Sequence, residues 1–339
     1  MAKIPKLGLI ARADDSGLGR LSQDFFNHLP IHKVMIVYNN IYDIYPERYP
    51  DDSLICRRGK PDLEEIDVFL RDIDIVLTFE TPYNWNLFSE AHKRGIKTVL
   101  IPNYEWTPQT LPVVPDLMIC PSQLDYDEMK YNTMGVNEVI HLPIPVDREK
   151  FPFKLRKKAE VFVFNNGHGG HLERNSWHEL FQAISLVKKE AKFLIRSQVY
   201  FPYVINDSRI KIEYGDLPQD KLFSEGDVYI WPHKFDGLSL PIQEALSSGM
   251  PVISTNIYPH NTYLPKDWLF EPESISKVFV RREIDYAIIS PKILAEKIEE
   301  WIGRDIEKDS KKANEIAEQW SWEKLTPKYL KVLQDLCQK

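Results

Sequence analysis

Short apolar runs alternate with amphipathic stretches along almost the whole chain. Leu7–Ala11 is apolar throughout and ends in a polar, glycine-bearing turn, residues 12–19. Leu21, Phe25 and Leu29 follow at spacing four, the stripe of an amphipathic helix. Lys33–Tyr38, Ile75–Phe79, Thr98–Ile101 and Leu117–Cys120 are further apolar runs, with helical stretches around Ile66, Ala91 and Met129. Parallel strands covered by helices on both faces read as such continuous runs. The alternation predicts α/β architecture with a doubly wound parallel sheet.

The texture changes at His141–Phe153, where three prolines fall in thirteen residues. Proline stiffens the chain and cannot donate to a sheet ladder, so this run predicts an extended linker. The alternation then restarts. Val161–Phe164, Phe193–Ile195, Ile210–Glu213, Val228–Trp231 and Val252–Ser254 read as strands, Asn175–Lys189 and Pro241–Ser248 as helices. Residues 291–339 are helical in pattern, with Leu325, Tyr329, Val332 and Leu336 on one stripe. Periodicity leaves open whether the last helix stays on the second domain or packs back across the junction.

A chain of 339 residues fits two domains. With 43% hydrophobic and 27% charged residues it has the apolar content for two cores. A net charge of −7 supplies no global field for nucleic acid or anionic lipid. Two basic runs, Arg57–Lys60 and Lys154–Lys158, read as solvated surface. Three widely spaced cysteines, Cys56, Cys120 and Cys337, fit neither a disulfide framework nor a metal knuckle, and point to a reducing cytoplasm. The N-terminal apolar run is too short for a signal peptide, and no window approaches the ~18–20 apolar residues of a membrane span.

The most informative stretch is 228–256. A buried strand ends at Trp231, a loop carries Asp236 and Gly237, and a helix opens at Pro241. Ligands of open α/β sheets bind beyond the carboxyl ends of the strands. A helix N-terminus offers free N–H groups and a positive dipole end to phosphate. Glu244, one turn in, suits sugar or ribose hydroxyls better than the phosphate, because like charges repel.

Asp236, Gly237, Leu238, Ser239, Leu240, Pro241, Ile242, Gln243, Glu244 and Ala245, then Gly249, Pro251 and Val252, resemble the signature of retaining glycosyltransferases with the GT-B fold, family 4 in particular. That frame reads Glu-Gly-Phe-Gly-Leu-Pro-x-x-Glu-Ala, followed by Gly-x-Pro-Val; Asp236 stands where glutamate is usual. The resemblance implies two Rossmann-like doubly wound domains facing a cleft. Residues 1–147 would form the acceptor side together with the C-terminal helix 322–339, packed back on the N-terminal domain. Residues 148–321 would bind a nucleotide-diphosphate sugar. It also implies roles: Asp236 at the donor sugar, Glu244 at the ribose, and Gly237, Leu238 and Ser239 at the donor.

Weaker features fit the same frame. Gly17 and Gly19 resemble the family's N-terminal glycine loop, although a tight turn explains them equally well. Val146–Phe151 resembles its Val-Asp-x-x-x-Phe junction. Gly167, His168, Gly169, Gly170, His171 and Arg174 occupy the place of a glycine–arginine pair that binds the diphosphate, with Asn175 where a lysine is usual. Arg174 and Arg196 are the candidate cations, and pairing with surface acids is the alternative for both. His168 and His171 lack a third ligand for a metal. No histidine follows Thr98–Ile101; Asn103 or Glu105 occupies that region, Glu105 as a candidate acceptor-side base or a capping carboxylate.

The implied reaction moves a sugar from a nucleotide-diphosphate sugar to an acceptor hydroxyl, with retention, without metal and without a cofactor beyond the donor. The acceptor is open: glycan, protein, lipid or modified nucleobase. Three rivals stand beside it: a DNA-modifying glycosyltransferase, a sugar-nucleotide epimerase, and a non-catalytic sugar-nucleotide-binding subunit. The oligomeric state is left open.

Overall fold

In the computed structural model, which describes residues 4–39, 43–136, 138–167, 171–202, 205–237 and 239–339, the chain forms two units. Unit 1 is built from the described part of Met1–Ile144, with Val280–Arg282 and Trp322–Lys339; unit 2 is Pro145–Phe279 and Glu283–Ser321. The chain leaves unit 1 at Ile144, inside the proline-rich run.

The strands of unit 1 are β1 (Leu7–Ala11), β2 (Ile31–Val37), β3 (Leu54–Cys56), β4 (Ile75–Phe79), β5 (Lys97–Ile101), β6 (Leu117–Cys120) and β7 (Val139–His141). Its helices are α1 (Gly17–His28), α2 (Leu63–Phe69), α3 (Asn86–Lys93) and α4 (Gln123–Tyr131). The sheet order is β3-β2-β1-β4-β5-β6-β7, all parallel. Every residue of β1, β4 and β6 is buried, which is why these strands read as unbroken apolar runs.

Unit 2 repeats the plan. It contains β8 (Val161–Asn166), α5 (Trp177–Leu186), β9 (Lys192–Ser197), β10 (Ile210–Tyr214), β11 (Val228–Trp231), α6 (Leu240–Ser247), β12 (Val252–Thr255) and β13 (Leu269–Phe270). The order is β10-β9-β8-β11-β12-β13, again all parallel. An antiparallel hairpin, β14 (Ser274–Phe279) and β15 (Glu283–Ile288), follows, then α7 (Pro291–Trp301) and α8 (Glu307–Glu318). Both units are thus Rossmann-like. In each, the strand order reverses beside the first strand, between β1 and β4 and between β8 and β11. Such a reversal leaves a crevice at the carboxyl ends of the two strands, the usual ligand position in this topology.

The helical tail is three helices, with breaks at residues 302–306 and 319–321. The last, α9 (Trp322–Gln338), lies in unit 1. Its apolar stripe explains why: Trp322 and Tyr329 pack edge-on against Phe25 of α1, with ring centroids 5.1 and 5.3 Å away. The Tyr329 hydroxyl donates to the Pro143 carbonyl at 3.1 Å. The hairpin was not expected from sequence. Its turn, Val280–Arg282, belongs to unit 1. There the fully buried Arg282 pairs with Glu128 at 2.9 Å and donates to the Thr107 carbonyl and the Thr133 hydroxyl.

In the basic run 154–158, Lys154, Lys157 and Lys158 are exposed as expected, and only Arg156 departs. Arg156 is buried, and its guanidinium donates to the carbonyls of Phe223, Gly226 and Ser248. The Ser248 carbonyl closes α6, so Arg156 supplies positive charge where the helix dipole is negative. Gly249 sits there at φ +79°, where a Cβ would meet the Lys154 carbonyl at 2.7 Å. No described helix is long and apolar enough to cross a membrane.

Candidate functional site

The loop after β11 brings the chemistry of unit 2 together. Asp236 is 6% exposed, and its neighbours converge on one oxygen. Trp231 Nε1 donates to Oδ2 at 2.9 Å, and the Ser239 hydroxyl does so at 2.8 Å. His233 Nδ1 lies 3.1 Å from the same atom and His260 Nε2 3.7 Å. Burial works to raise the Asp236 pKa, but the two facing histidines outweigh it and hold the carboxyl well below the ordinary range. Burial also pushes the His233 imidazole down to about 4, against the pull of Asp236. The ring of His233 stacks on Trp231 with centroids 3.6 Å apart.

His260 is enclosed, with Nε2 2.6 Å from the Ser239 hydroxyl and Nδ1 2.9 Å from the Ser254 hydroxyl. One proton assignment satisfies this chain. Ser254 donates to Nδ1, Nε2–H donates to Ser239, and Ser239 donates to Asp236. Ser239 is also the N-cap of α6, and its hydroxyl donates to Asp236 and makes no side-chain cap bond to the helix. Proline in the first turn removes one further N–H there. Gly237 is buried within this loop, and Glu244, like Gln243 and Ser247, is one of the buried polar residues of unit 2.

The second loop at the strand reversal follows β8. Lys234 N donates to the Arg174 carbonyl at 2.9 Å, which ties the two loops together. Arg174 places its guanidinium 6.0 Å from the Phe235 ring. Lys234 is buried and pairs with Glu179 at 2.7 Å; burial opposes its charge, yet bonding to Glu179 raises its pKa. Asn175, at the position of the usual lysine, is spent on structure: its amide donates to Asn166 Oδ1 at 2.7 Å. Leu172, Glu173 and Ser176 all have φ of 51–52°, so this loop stores backbone strain. Gly167 is half-buried beside Gln198.

Arg196 lies elsewhere. It is buried on β9, with Nε 3.0 Å from Glu213 Oε2 and Nη1 on the Leu222 carbonyl. Its charge is therefore met inside the fold. Leu238 and His168 lie outside the described residues, as do Gly169, Gly170 and the side chain of His171.

In unit 1 the glycine turn after β1 is held by its own polar groups. Arg12 and Asp14, both buried, form an ion pair, and Asp14 also accepts from Ser16 N at 3.0 Å. A Cβ on Gly19 would lie 1.9 Å from the Asp14 carbonyl, so close backbone approach fixes this glycine. Gly17 meets no such neighbour. Glu105 is fully buried, and its carbonyl accepts from Arg281 N at 3.2 Å. Asn103, half-buried, donates to Glu80 Oε1 at 3.2 Å.

Comparison with solved structures bears on this arrangement. A glycosyltransferase from Rickettsia africae aligns over 98% of both chains, at a TM-score of 0.68 and 14% identity. The chain has the GT-B fold. With this GT-B chain, Anabaena Alr3699/HepE, solved with UDP and glucose, aligns over 98% of this chain and 100% of its own, at 0.68 and 11% identity. The lipopolysaccharide outer core galactosyltransferase WaaB aligns over 98% of each chain, at 0.61 and 12%. No family model matches the sequence, and no curated protein matches it. Within the GT-B fold, sequence reasoning gave no role to Trp231, His233, Lys234 or His260. Trp231, His233 and Lys234 are offset by two to five positions from Asp236, and an acid flanked by aromatic and basic residues was a readable signal. His260 lies beyond β12 and left none.

Proposed function

We propose that the chain is a glycosyltransferase that moves a sugar from a nucleotide-diphosphate sugar to an acceptor hydroxyl. The observation that carries this reading is the loop of unit 2 at the strand reversal. It holds an ionised, desolvated Asp236 through one oxygen and leads into α6, with Glu244 one turn on. Donor binding is assigned to unit 2, through Asp236, Glu244, Gly237, Leu238, Ser239, Gly167 and His168. UDP in the HepE complex makes a uridine nucleotide the first probe.

Cleavage of the anomeric bond places charge on the departing diphosphate while the sugar becomes oxocarbenium-like. Oriented N–H groups and a fixed cation meet such charge best where water is excluded. Arg174 and the amides entering α6 are the groups at hand, and Asp236 supplies negative charge near the sugar. Retention of configuration and independence from divalent metal complete the proposal. A cytoplasmic location accords with three free thiols. The acceptor belongs to the wider class of hydroxyl-bearing glycans, proteins, lipids or modified bases.

The test is a thermal-shift panel of nucleotide sugars, followed by product analysis. A bound donor raises the melting temperature by mass action. Slow release of nucleoside diphosphate, unaffected by EDTA and abolished in Asp236→Asn and Glu244→Gln, is the expected outcome. NMR of the transferred sugar reads the anomeric configuration. A panel in which no nucleotide sugar stabilises the protein ends this reading.

A further inference from the structure

His233 is 2% exposed, and its two ring nitrogens have different surroundings. Nδ1 lies 3.1 Å from Asp236 Oδ2, an ion-pair distance without hydrogen-bond alignment, while Nε2 has no partner of either kind among the described residues. The imidazole stays neutral near pH 7, because burial lowers its pKa. A neutral imidazole carries one N–H, and the carboxylate beside Nδ1 draws that proton to it. Nε2 is then a buried lone pair without a donor, a costly arrangement unless something supplies one. The ring cannot turn away easily, since it is stacked on Trp231.

Asp236 shows the same asymmetry. Trp231, Ser239, His233 and His260 all address Oδ2, and none of these contacts involves Oδ1. The loop thus carries two acceptors, Asp236 Oδ1 and His233 Nε2, on residues already locked together. Neither suits a phosphate or carboxylate, which would bring further lone pairs. Both suit alcohol groups, which bring the missing protons.

We propose that His233 reads the donor sugar, its Nε2 accepting a hydrogen bond from a sugar hydroxyl beside the free oxygen of Asp236. This rests on the donor-site reading of unit 2. It makes His233 a specificity-determining residue, with Trp231 as the platform that sets its plane. His260 acts at one remove, by orienting Ser239 against Asp236.

The experiment is calorimetric titration of the full chain with UDP-glucose, UDP-galactose, UDP-N-acetylglucosamine and GDP-mannose, and with UDP and GDP alone. It compares the wild type with His233→Phe, His233→Gln and His233→Asn. Phenylalanine keeps a stacking ring without nitrogen, glutamine places an amide near the Nε2 position, and asparagine reaches only the Nδ1 position. The best-bound nucleotide sugar is expected to lose about tenfold or more in affinity in H233F and H233N, the scale of one buried hydrogen bond. The matching free diphosphate should bind all four proteins alike, and H233Q should recover part of the loss. If H233F fails to fold, as circular dichroism would show, the contrast between H233Q and H233N decides.

Equal losses for nucleotide sugar and free nucleotide would show that His233 only shapes the loop, and would overturn the proposal. Unchanged affinity for both would mean that an internal water satisfies Nε2, with the same consequence. If no probe binds the wild type, the donor-site reading itself falls. Binding of UDP or GDP without any gain from an attached sugar removes the role of His233 alone.

Discussion

The two units share a strand order but use its reversal differently. After β1, the polar groups of unit 1 are turned on one another: Arg12 holds Asp14, and Asp14 holds the turn that Gly19 makes tight. After β11, unit 2 gathers its donors on one side of a carboxylate and leaves the other side open. Topology therefore provides the place for a ligand, and the balance of donors and acceptors at the strand ends decides whether it is used.

The sharpest way to break this contrast is to neutralise each acid in turn. Asp236→Asn should lower kcat/KM by roughly a thousandfold, the loss typical of one aimed electrostatic group, as read from initial rates of nucleotide release. Asp14→Ala should act on stability instead. It removes the carboxylate that faces the buried Arg12, which costs on the order of 3–5 kcal/mol, measured by urea unfolding. Nucleotide-sugar affinity should persist wherever that variant is folded. If Asp14→Ala removed binding while leaving stability intact, the division of labour between the loops would be wrong.

Proton linkage sharpens the comparison further. The His233 pKa is depressed from 6.5 to about 4 in the fold. Between those values the unfolded chain binds the proton that the folded chain refuses, so stability declines as pH falls from about 6.5 toward 4. At 1.36 kcal/mol per pKa unit, the full effect is on the order of 3 kcal/mol. Denaturation of unit 2 followed by tryptophan fluorescence should show this slope, and His233→Phe should flatten it.

The smallest expected effect separates two arginines. Arg174→Met should weaken donor binding about tenfold, since it removes a charge-assisted contact. Arg196→Met should leave affinity unchanged and lower the melting temperature, because Arg196 answers Glu213 and the Leu222 carbonyl. The reverse pattern in calorimetry would return the diphosphate to β9.

What could be read beforehand follows the range of the interactions. The inner strands of both sheets were legible because burial on two faces forces continuous apolar residues, whereas the short edge strands β3, β7 and β13 carry too few residues to show a run; the acids Asp236 and Glu244 stood out as candidates through the strand–loop–helix frame around them. His260 joins Asp236 only once β12 has paired with β11, and linear order carries no trace of that. Arg156 looked like surface because its run is basic; only the fold shows the backbone carbonyls, those of Phe223, Gly226 and Ser248, that make its burial tolerable. The β14–β15 hairpin escaped because its exposed β14 strand lacks the apolar run that marks the other sheets. The helical tail was read as one texture since helix breaks at residues 302–306 and 319–321 interrupt a periodicity that otherwise continues.

The placement of α9 bears on how the protein comes into being. Phe25 lies in the first helix, yet its ring is enclosed by Trp322 and Tyr329, which the ribosome delivers only after every residue of unit 2. A nascent unit 1 must wait with an aromatic gap in its surface while its younger neighbour folds. Ribosome-stalled chains ending at residue 321 should therefore be cut by protease within unit 1 well before unit 2.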